Sequence, residues 1–334
     1  MQNYKINIKL KSSIITPFHS DTLWGHICWS LRYTQGEKEL IDFIDCYNSS
    51  EPPLVISNAF PKGYLPFPVL TPLEKTKQRE LINTFWDESD FITAASELKK
   101  ISASKYISKE LLKYLNKGTI SMYSLLEAIL ANPKIFPVIS VKSSSVTYHA
   151  KINRLSGIAI DGGLFPTNET FYSNNDFEAY CKIGTGFSEE ILKKCLEFIN
   201  VNGFGRKKST GKGSVKCTIE KITDDFSIPD ANAFMTLSNY VPCQDDPQKG
   251  FYKLLTKYGK LGGHFASSSI IPGNDPTPFK YPVVMFESGS VFKVDKKKEH
   301  YGRIVKGVHP AEKINIVHYG MAYPMPLKIE GLND

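Results

Sequence analysis

Polar and apolar residues alternate from Tyr4 to Leu10, with Tyr4, Ile6, Ile8 and Leu10 on one face. A period of two predicts a half-buried strand. Beyond a turn-like link through Pro17 the period becomes helical: Leu23, Trp24, Ile27, Cys28 and Leu31 form one stripe. This predicts a helix capped by Ser20 or Asp21 and running to about Tyr33. Gly25 weakens a helix, which implies a close backbone contact at that point. A second short helix is expected over Glu37–Tyr47. Glu51–Leu73 is proline-rich and extended, with short strands at Leu54–Ser57 and Tyr64–Val69 confined to sheet edges or loops. From Glu74 to Ala131 the pattern is helical. Lys105, Lys109, Lys113 and Lys117 recur every four residues and would line one helix face, with Leu111, Leu112 and Leu115 inward. That face is a solvated surface by its pattern, a phosphate-facing stripe being the other reading.

Strand character returns over Val138–Ile160. Ser143–Asp161 and the residues after it could form a long hairpin carrying His149, Lys151, Asn153 and Arg154, and Pro166–Asn175 reads as a polar turn. A strand follows at Phe177–Ile183. Ser188 then caps a helix whose apolar positions are Ile191, Leu192, Cys195, Leu196 and Ile199. Glu189 and Glu190 at its start and Lys193 and Lys194 further on suit the helix dipole. Gly203–Gly213 is a loop, and Ser214–Glu220 is a strand. With the helical block of about 74–131 set aside, the order is βαββαβ, the ferredoxin-like unit. Thr223–Ala231, with its Asp224-Asp225 pair and Pro229, marks a boundary between a first domain (1–225) and a second (226–334). Strands are expected there at Ala233–Val241, Pro282–Glu287, Ser290–Val294, Ile314–His318 and Pro326–Ile329. Glu287–Ser290 reads as a hairpin turn, and Gly250–Tyr258 is the best candidate helix. The second half is thus a smaller, distorted α+β domain.

Composition narrows the class. The chain has 334 residues, 41% hydrophobic, which suits two domains with real cores. A net charge of +7 is compatible with a nucleic-acid partner. Six cysteines without a C-x-x-C pair argue for a reducing compartment and against zinc. Seven histidines show no metal-binding spacing. The N-terminus alternates polar and apolar residues rather than forming a secretory signal, and no apolar run reaches about 18 residues, so a soluble, cytoplasmic protein without a membrane partner is expected.

The most distinctive chemistry lies in Gly203-Phe204-Gly205-Arg206-Lys207-Lys208-Ser209-Thr210-Gly211-Lys212-Gly213. Its glycines and unpaired charges exclude a helix or core strand. It is either a solvated loop or a cradle for phosphates. A nucleotide P-loop is excluded: Gly205 and Gly211 are one residue too far apart, Gly213 replaces the hydroxyl residue, and the loop runs from helix to strand. No G-x-S-x-G elbow and no D-x-D cluster occurs. RNA binding fits better. Arg206, Lys207, Lys208 and Lys212 would neutralise phosphates with the backbone amides, and Ser209 and Thr210 could donate to phosphate or 2′-hydroxyl oxygens. Two roles suit Phe204, stacking a splayed base or anchoring the loop in the core. His19, between the first strand and first helix, is either a helix-positioning residue or a general acid or base.

Asp21-Thr22-Leu23-Trp24-Gly25 at the first helix, together with the Gly203–Gly213 loop, resembles the RAMP superfamily of CRISPR proteins. The segment Thr22–Trp29 is similar to the version in the guide-RNA 5′-handle subunit of type III-A (Csm) effectors. His149–Gly157, with Asn153-Arg154-Leu155-Ser156-Gly157, resembles the RAMP thumb hairpin (about 140–175), and Val317-His318-Tyr319-Gly320 with Pro324 and Pro326 resembles that subunit's C-terminal end. The resemblance implies tandem ferredoxin-like domains and a non-catalytic role. Such a subunit would hold the crRNA 5′ handle between glycine loop and thumb, with His149, Asn153 and Arg154 positioning the hairpin. It would contact the large polymerase-like subunit and the backbone RAMP subunit, and it would need no cofactor or metal. The 74–131 block is not part of the bare fold and could be a subunit-contact surface. The alternative is a metal-independent crRNA-processing endoribonuclease of the same superfamily using His19.

Overall fold

The computed structural model describes residues 1–87, 90–136, 142–223, 226–228, 230–266, 277–311 and 315–331. Strand β1 (Gln2–Leu10) buries Tyr4, Ile6, Ile8 and Leu10, as its alternation requires. Helix α1 (Ser20–Thr34) buries Leu23, Trp24, Ile27, Cys28 and Leu31. Its N-cap is His19 rather than Ser20 or Asp21, and no side chain caps it from that position. The Ser20 amide donates instead to Asn58 Oδ1 at 2.7 Å. Gly25 has open space where a Cβ would stand, so the expected close backbone contact is absent. After α2 (Glu37–Asp45) come β2 (Leu54–Pro61), at a sheet edge as its prolines demand, and the short β3 (Tyr64–Pro66).

The helical block holds α3 (Lys75–Phe85), α4 (Phe91–Ser102), β4 (Tyr106–Ser108, paired with β3), α5 (Lys109–Leu115) and α6 (Met122–Ala131). The four-lysine stripe is not one helix face. Lys105 precedes β4 and Lys117 follows α5, so only Lys109 and Lys113 are helical. Lys109 lies over the rings of Tyr180 and Phe226.

A long hairpin follows, β5 (Lys142–Ile152) and β6 (Ala159–Tyr172). The start of the expected strand, residues 138–141, lies outside the described residues. The expected turn at Pro166–Asn175 is instead mostly strand, because β6 continues to Tyr172 and Thr170 bridges Ile14 at the exit of β1. Then come β7 (Asp176–Ile183), α7 (Glu189–Asn202) and β8 (Val215–Lys221). Ser188 caps α7, its hydroxyl accepting from the Ile191 amide. The sheet order is β2-β7-β1-β8, all antiparallel, with α1 and α7 packed on one face. This is the ferredoxin-like order.

The second half contains β9 (Ala233–Thr236), β10 (Gly250–Phe251), β11 (Leu254–Lys257), β12 (Val283–Phe286), β13 (Val291–Lys293), β14 (Tyr301–Val305), β15 (His318–Ala322) and β16 (Pro324–Leu327). Its main sheet, β10-β13-β9-β16, repeats the strand order of the first, giving an α+β tandem ferredoxin-like fold. No α-helix lies in this half among the described residues; where the second helix would stand, β14 and β15 pair with each other. Gly250–Tyr258 is therefore not a helix. Phe251, Leu254, Leu255 and Tyr258 imitate helical spacing, but they belong to two short strands with different partners and their flanks. Glu287–Ser290 does not close a hairpin either, since β12 pairs with β11 while β13 pairs with β9 and β10. Asp224-Asp225, Pro229 and Ile314 lie outside the described residues. One hydrophobic core includes Ile6, Ile27 and Leu196 of the first half and Met235, Met325 and Leu327 of the second.

Candidate functional site

The C-terminus of α7 opens directly into the glycine loop. Gly203, Gly205, Gly211 and Gly213 all have positive φ. A Cβ at Gly213 would stand 1.9 Å from the Phe204 carbonyl oxygen, and one at Gly205 would stand 2.7 Å from Thr16 Cβ. These two glycines therefore serve a tight fold of the loop on itself and on the β1–α1 link. The Gly211 position faces open space. Lys207 also takes the left-handed conformation, opening a 3-10 turn over Lys208–Thr210.

Phe204 is 1% exposed and packs against Phe18 and His26, with ring centroids 4.8 and 4.6 Å away. It is a core anchor, and its burial excludes the base-stacking role. The Gly205 amide donates to His26 Nε2 at 2.9 Å, and the Arg206 amide to Thr16 Oγ1 at 3.1 Å. Burial and the charge of Lys208 hold the His26 imidazole down at about 3, so it stays a neutral acceptor. The amides of Gly203 to Arg206 and of Thr210 to Gly213 all donate within the protein. At those eight positions contact with a ligand therefore falls to side chains rather than to amides.

Those side chains divide into two groups. Lys212 Nζ lies 2.6 Å from Glu169 Oε2, a carboxylate only 3% exposed. Ser13 and Thr147 hydroxyls donate to the same carboxyl at 2.8 and 3.1 Å. These donors hold the Glu169 carboxyl below the usual range, Lys212 most strongly. Lys212 is thus a tie between the loop, the exit of β1 and both strands of the hairpin; the phosphate-ligand role is taken up by Glu169. Arg206, Lys208, Ser209 and Thr210 are exposed. The Thr210 hydroxyl donates to the Lys207 carbonyl at 2.9 Å. Lys207 Nζ lies 5.3 Å from the Phe165 ring centre, and Phe165 stacks on His149 across the hairpin at 5.4 Å. His149 and the glycine loop are therefore brought together through Phe165.

Asn153 and Arg154 are not. They sit at the hairpin tip, past His149, the partner of Phe165, by roughly 13–17 Å at about 3.3 Å per residue. The Asn153 side chain accepts from the Leu155 amide at 2.9 Å and shapes the turn; Arg154 is exposed. Phe165, just ahead of Pro166–Asn175, carried no signal of its own, and Glu169 escaped the sequence reading because that stretch looked like a turn. Pairing with His149 and its neighbours makes it a strand, and residues four apart on a strand share a face.

His19 lies elsewhere, at the start of α1 against the second half. Its Nδ1 is 3.0 Å from Lys257 Nζ, which also pairs with Asp21 at 2.9 Å. Burial first, then Lys257, lowers the His19 imidazole to about 4. Asp21 also faces His318, 3.9 Å away. This ionic cluster joins α1 to β11 and β15, so His19 is walled in rather than open at a loop.

The RAMP superfamily model matches residues 15–216, the stretch containing α1, the hairpin and the glycine loop. The chain belongs to the RAMP superfamily. Comparison with curated protein sequences gave no match. Among solved structures, this RAMP protein is similar to a chain of the Csm1-Csm4 cassette in complex with cA4, at 16% identity and a TM-score of 0.56, covering 98% of this chain and 99% of that one. It is also similar to a chain of the Csm3-Csm4 subcomplex in the type III-A CRISPR-Cas interference complex, at 17% identity and a TM-score of 0.53, covering 97% and 99%. These likenesses establish the fold over the length of the RAMP chain. No helix among the described residues is long and apolar enough to cross a membrane.

Proposed function

We propose that this RAMP protein is a non-catalytic, cytoplasmic RNA-binding subunit of a type III-A CRISPR interference complex. It would hold the crRNA 5′ handle and bridge the large polymerase-like subunit to the backbone RAMP subunit. Csm4 is the component shared by the two solved assemblies it resembles, one with Csm1 and one with Csm3. The observation that carries the RNA-binding part is the tie between loop and hairpin. Glu169 and Phe165 fix an exposed cationic turn, Arg206 to Lys208, against a projecting two-stranded arm. A strand lying in that angle would meet Arg206, Lys207 and Lys208 at its phosphates and His149 on the hairpin. His19 loses its proton near pH 4 and is packed against a lysine, which suits a structural residue better than a base working at neutral pH.

The test is guide-RNA binding by the assembled complex across a salt series. Arg206→Ala, Lys207→Ala and Lys208→Ala together should weaken binding and lower the slope of log K against log salt by about 2, from about 0.7 per single-strand phosphate. An unchanged slope sinks the reading. Cleavage of repeat RNA in EDTA, lost on His19→Ala, would overturn the non-catalytic assignment in favour of the endoribonuclease.

A further inference from the structure

β11 and β12 form a two-stranded ribbon whose pairing runs on past both strands. Lys260 bridges Phe279, the Lys280 amide donates to the Gly259 carbonyl at 2.8 Å, and the Leu261 amide donates to the Pro278 carbonyl at 2.7 Å. Successive residues of a strand point to opposite faces, so the ribbon has an inner and an outer side. The inner side carries Lys257, which meets His19 and Asp21, and Lys280, whose Nζ donates to the Val317 carbonyl at 2.6 Å. Val283 and Met285 are buried on that side with Val241 and Val308. The outer side carries Leu254, Tyr258 and Lys260 on one strand and Phe279, Tyr281 and Val284 on the other, all exposed and none acidic. Tyr258 is 75% exposed, Phe279 56% and Tyr281 52%. Among the described residues neither tyrosine packs against another ring, and Lys260 Nζ lies 6.0 Å from the Phe279 ring centre. Open aromatic rings beside a lysine suit a single-stranded nucleic acid, whose bases stack irrespective of sequence while cations take its phosphates. The centre of a protein–protein interface, by contrast, is depleted in lysine.

The ribbon also lies beside the glycine loop. Thr22, His26 and Trp29 share one face of α1 by their spacing. Lys257 Nζ approaches the Thr22 hydroxyl at 3.5 Å, and the Gly205 amide donates to His26. Gly262 and Gly263 lie so close to the Trp29 indole that a Cβ would stand 2.6 and 2.5 Å from it. Thr22 and His26 are about 6 Å apart along the helix axis, so ribbon and loop rest on α1 roughly one turn apart. We propose that the outer side of this ribbon is a second contact surface for single-stranded RNA. Tyr258 and Tyr281 stack its bases, and Lys260 takes a phosphate beside them. The surface extends the path of the strand proposed for the glycine loop, and it rests on that reading for the identity of the strand but not for its own binding chemistry.

Fluorescence anisotropy of a short labelled oligouridylate, titrated with the full chain, tests this. The wild-type chain and the chain carrying Arg206→Ala, Lys207→Ala and Lys208→Ala are both used, so that loop and ribbon are read separately. In each, Tyr258→Ala/Tyr281→Ala should weaken binding about tenfold or more, and Tyr258→Phe/Tyr281→Phe should retain it because the rings remain. Lys260→Gln should weaken it by a smaller factor that shrinks with added salt. If the loop changes leave the affinity intact while the tyrosine changes reduce it, the loop reading fails and the ribbon stands. The proposal is overturned if the alanine pair binds RNA as tightly as its parent chain, or if the wild-type chain does not bind at millimolar concentration. Loss of co-purification with a protein subunit at unchanged RNA affinity also overturns it, by marking the face as a protein-docking surface.

Discussion

Replacing Lys212 with methionine separates a structural tie from a ligand contact. The substitution keeps the stem and removes the ammonium, leaving the Glu169 carboxylate with only the Ser13 and Thr147 hydroxyls. At the observed 2.6 Å the direct attraction is about 6 kcal/mol for an effective dielectric of about 20. Desolvation of both ions and the 28% exposure of Lys212 remove much of that. A net loss of about 2–3 kcal/mol remains, because a nearly buried carboxylate loses its countercharge. The compensated variant Glu169→Gln/Lys212→Met removes both charges and should lose only about 1 kcal/mol. The single change should therefore be more destabilising than the double, and since Glu169→Gln alone should also destabilise, the two changes are non-additive. Urea unfolding of the RNA-free protein at pH 7, followed by circular dichroism, reads the difference as a shift of midpoint. The pH dependence adds a second signature. Glu169 is held below its unfolded value of 4.5, so its contribution is full above that pH and is lost as acid carries the pH down through its folded value. The gap between wild type and Lys212→Met should close over that range. If Lys212→Met unfolds at the wild-type urea midpoint while RNA binding alone declines, Lys212 is a phosphate ligand and the tie is wrong.

Phe204→Ala should destabilise the protein by about 3–5 kcal/mol, since its ring is buried between Phe18 and His26; an unaltered melting curve would contradict that placement. Gly213→Ala should be far more damaging than Gly211→Ala. Both have positive φ, but only at Gly213 would the methyl strike the Phe204 carbonyl, and equal shifts in thermal midpoint would refute the distinction. Acid should destabilise the chain before its carboxylates titrate. His26 is held near 3 and His19 and His318 near 4 against an ordinary 6.5, so the unfolded chain binds protons first and stability falls as pH drops from about 6.5 towards 4. His26→Gln should flatten that fall in a stability-versus-pH series, and an unchanged slope would count against it.

Local periodicity carried much of the first half of the chain. Tyr4 to Leu10 could only be a strand with one buried face, and the α1 and α7 stripes could only be helices with one, because each pattern matches a single repeat. From those elements the βαββαβ order followed, and the Gly203–Gly213 composition marked its loop. The second half was far less legible. Its strands are two to five residues long, and nearly every pairing is to a segment distant in sequence, so Phe251 to Tyr258 could imitate a helix. The site divides along the same line. Sequence alone determined that a glycine-rich cationic turn would follow α7, since charge and backbone freedom are properties of the residues themselves. Only the tertiary structure decided what each cation does. Lys212 became a tie and Lys207 a partner of Phe165, while Phe204 went into the core, because Glu169, Phe165 and His26 arrive there from other parts of the chain. Arg206 and Lys208 were left facing outward.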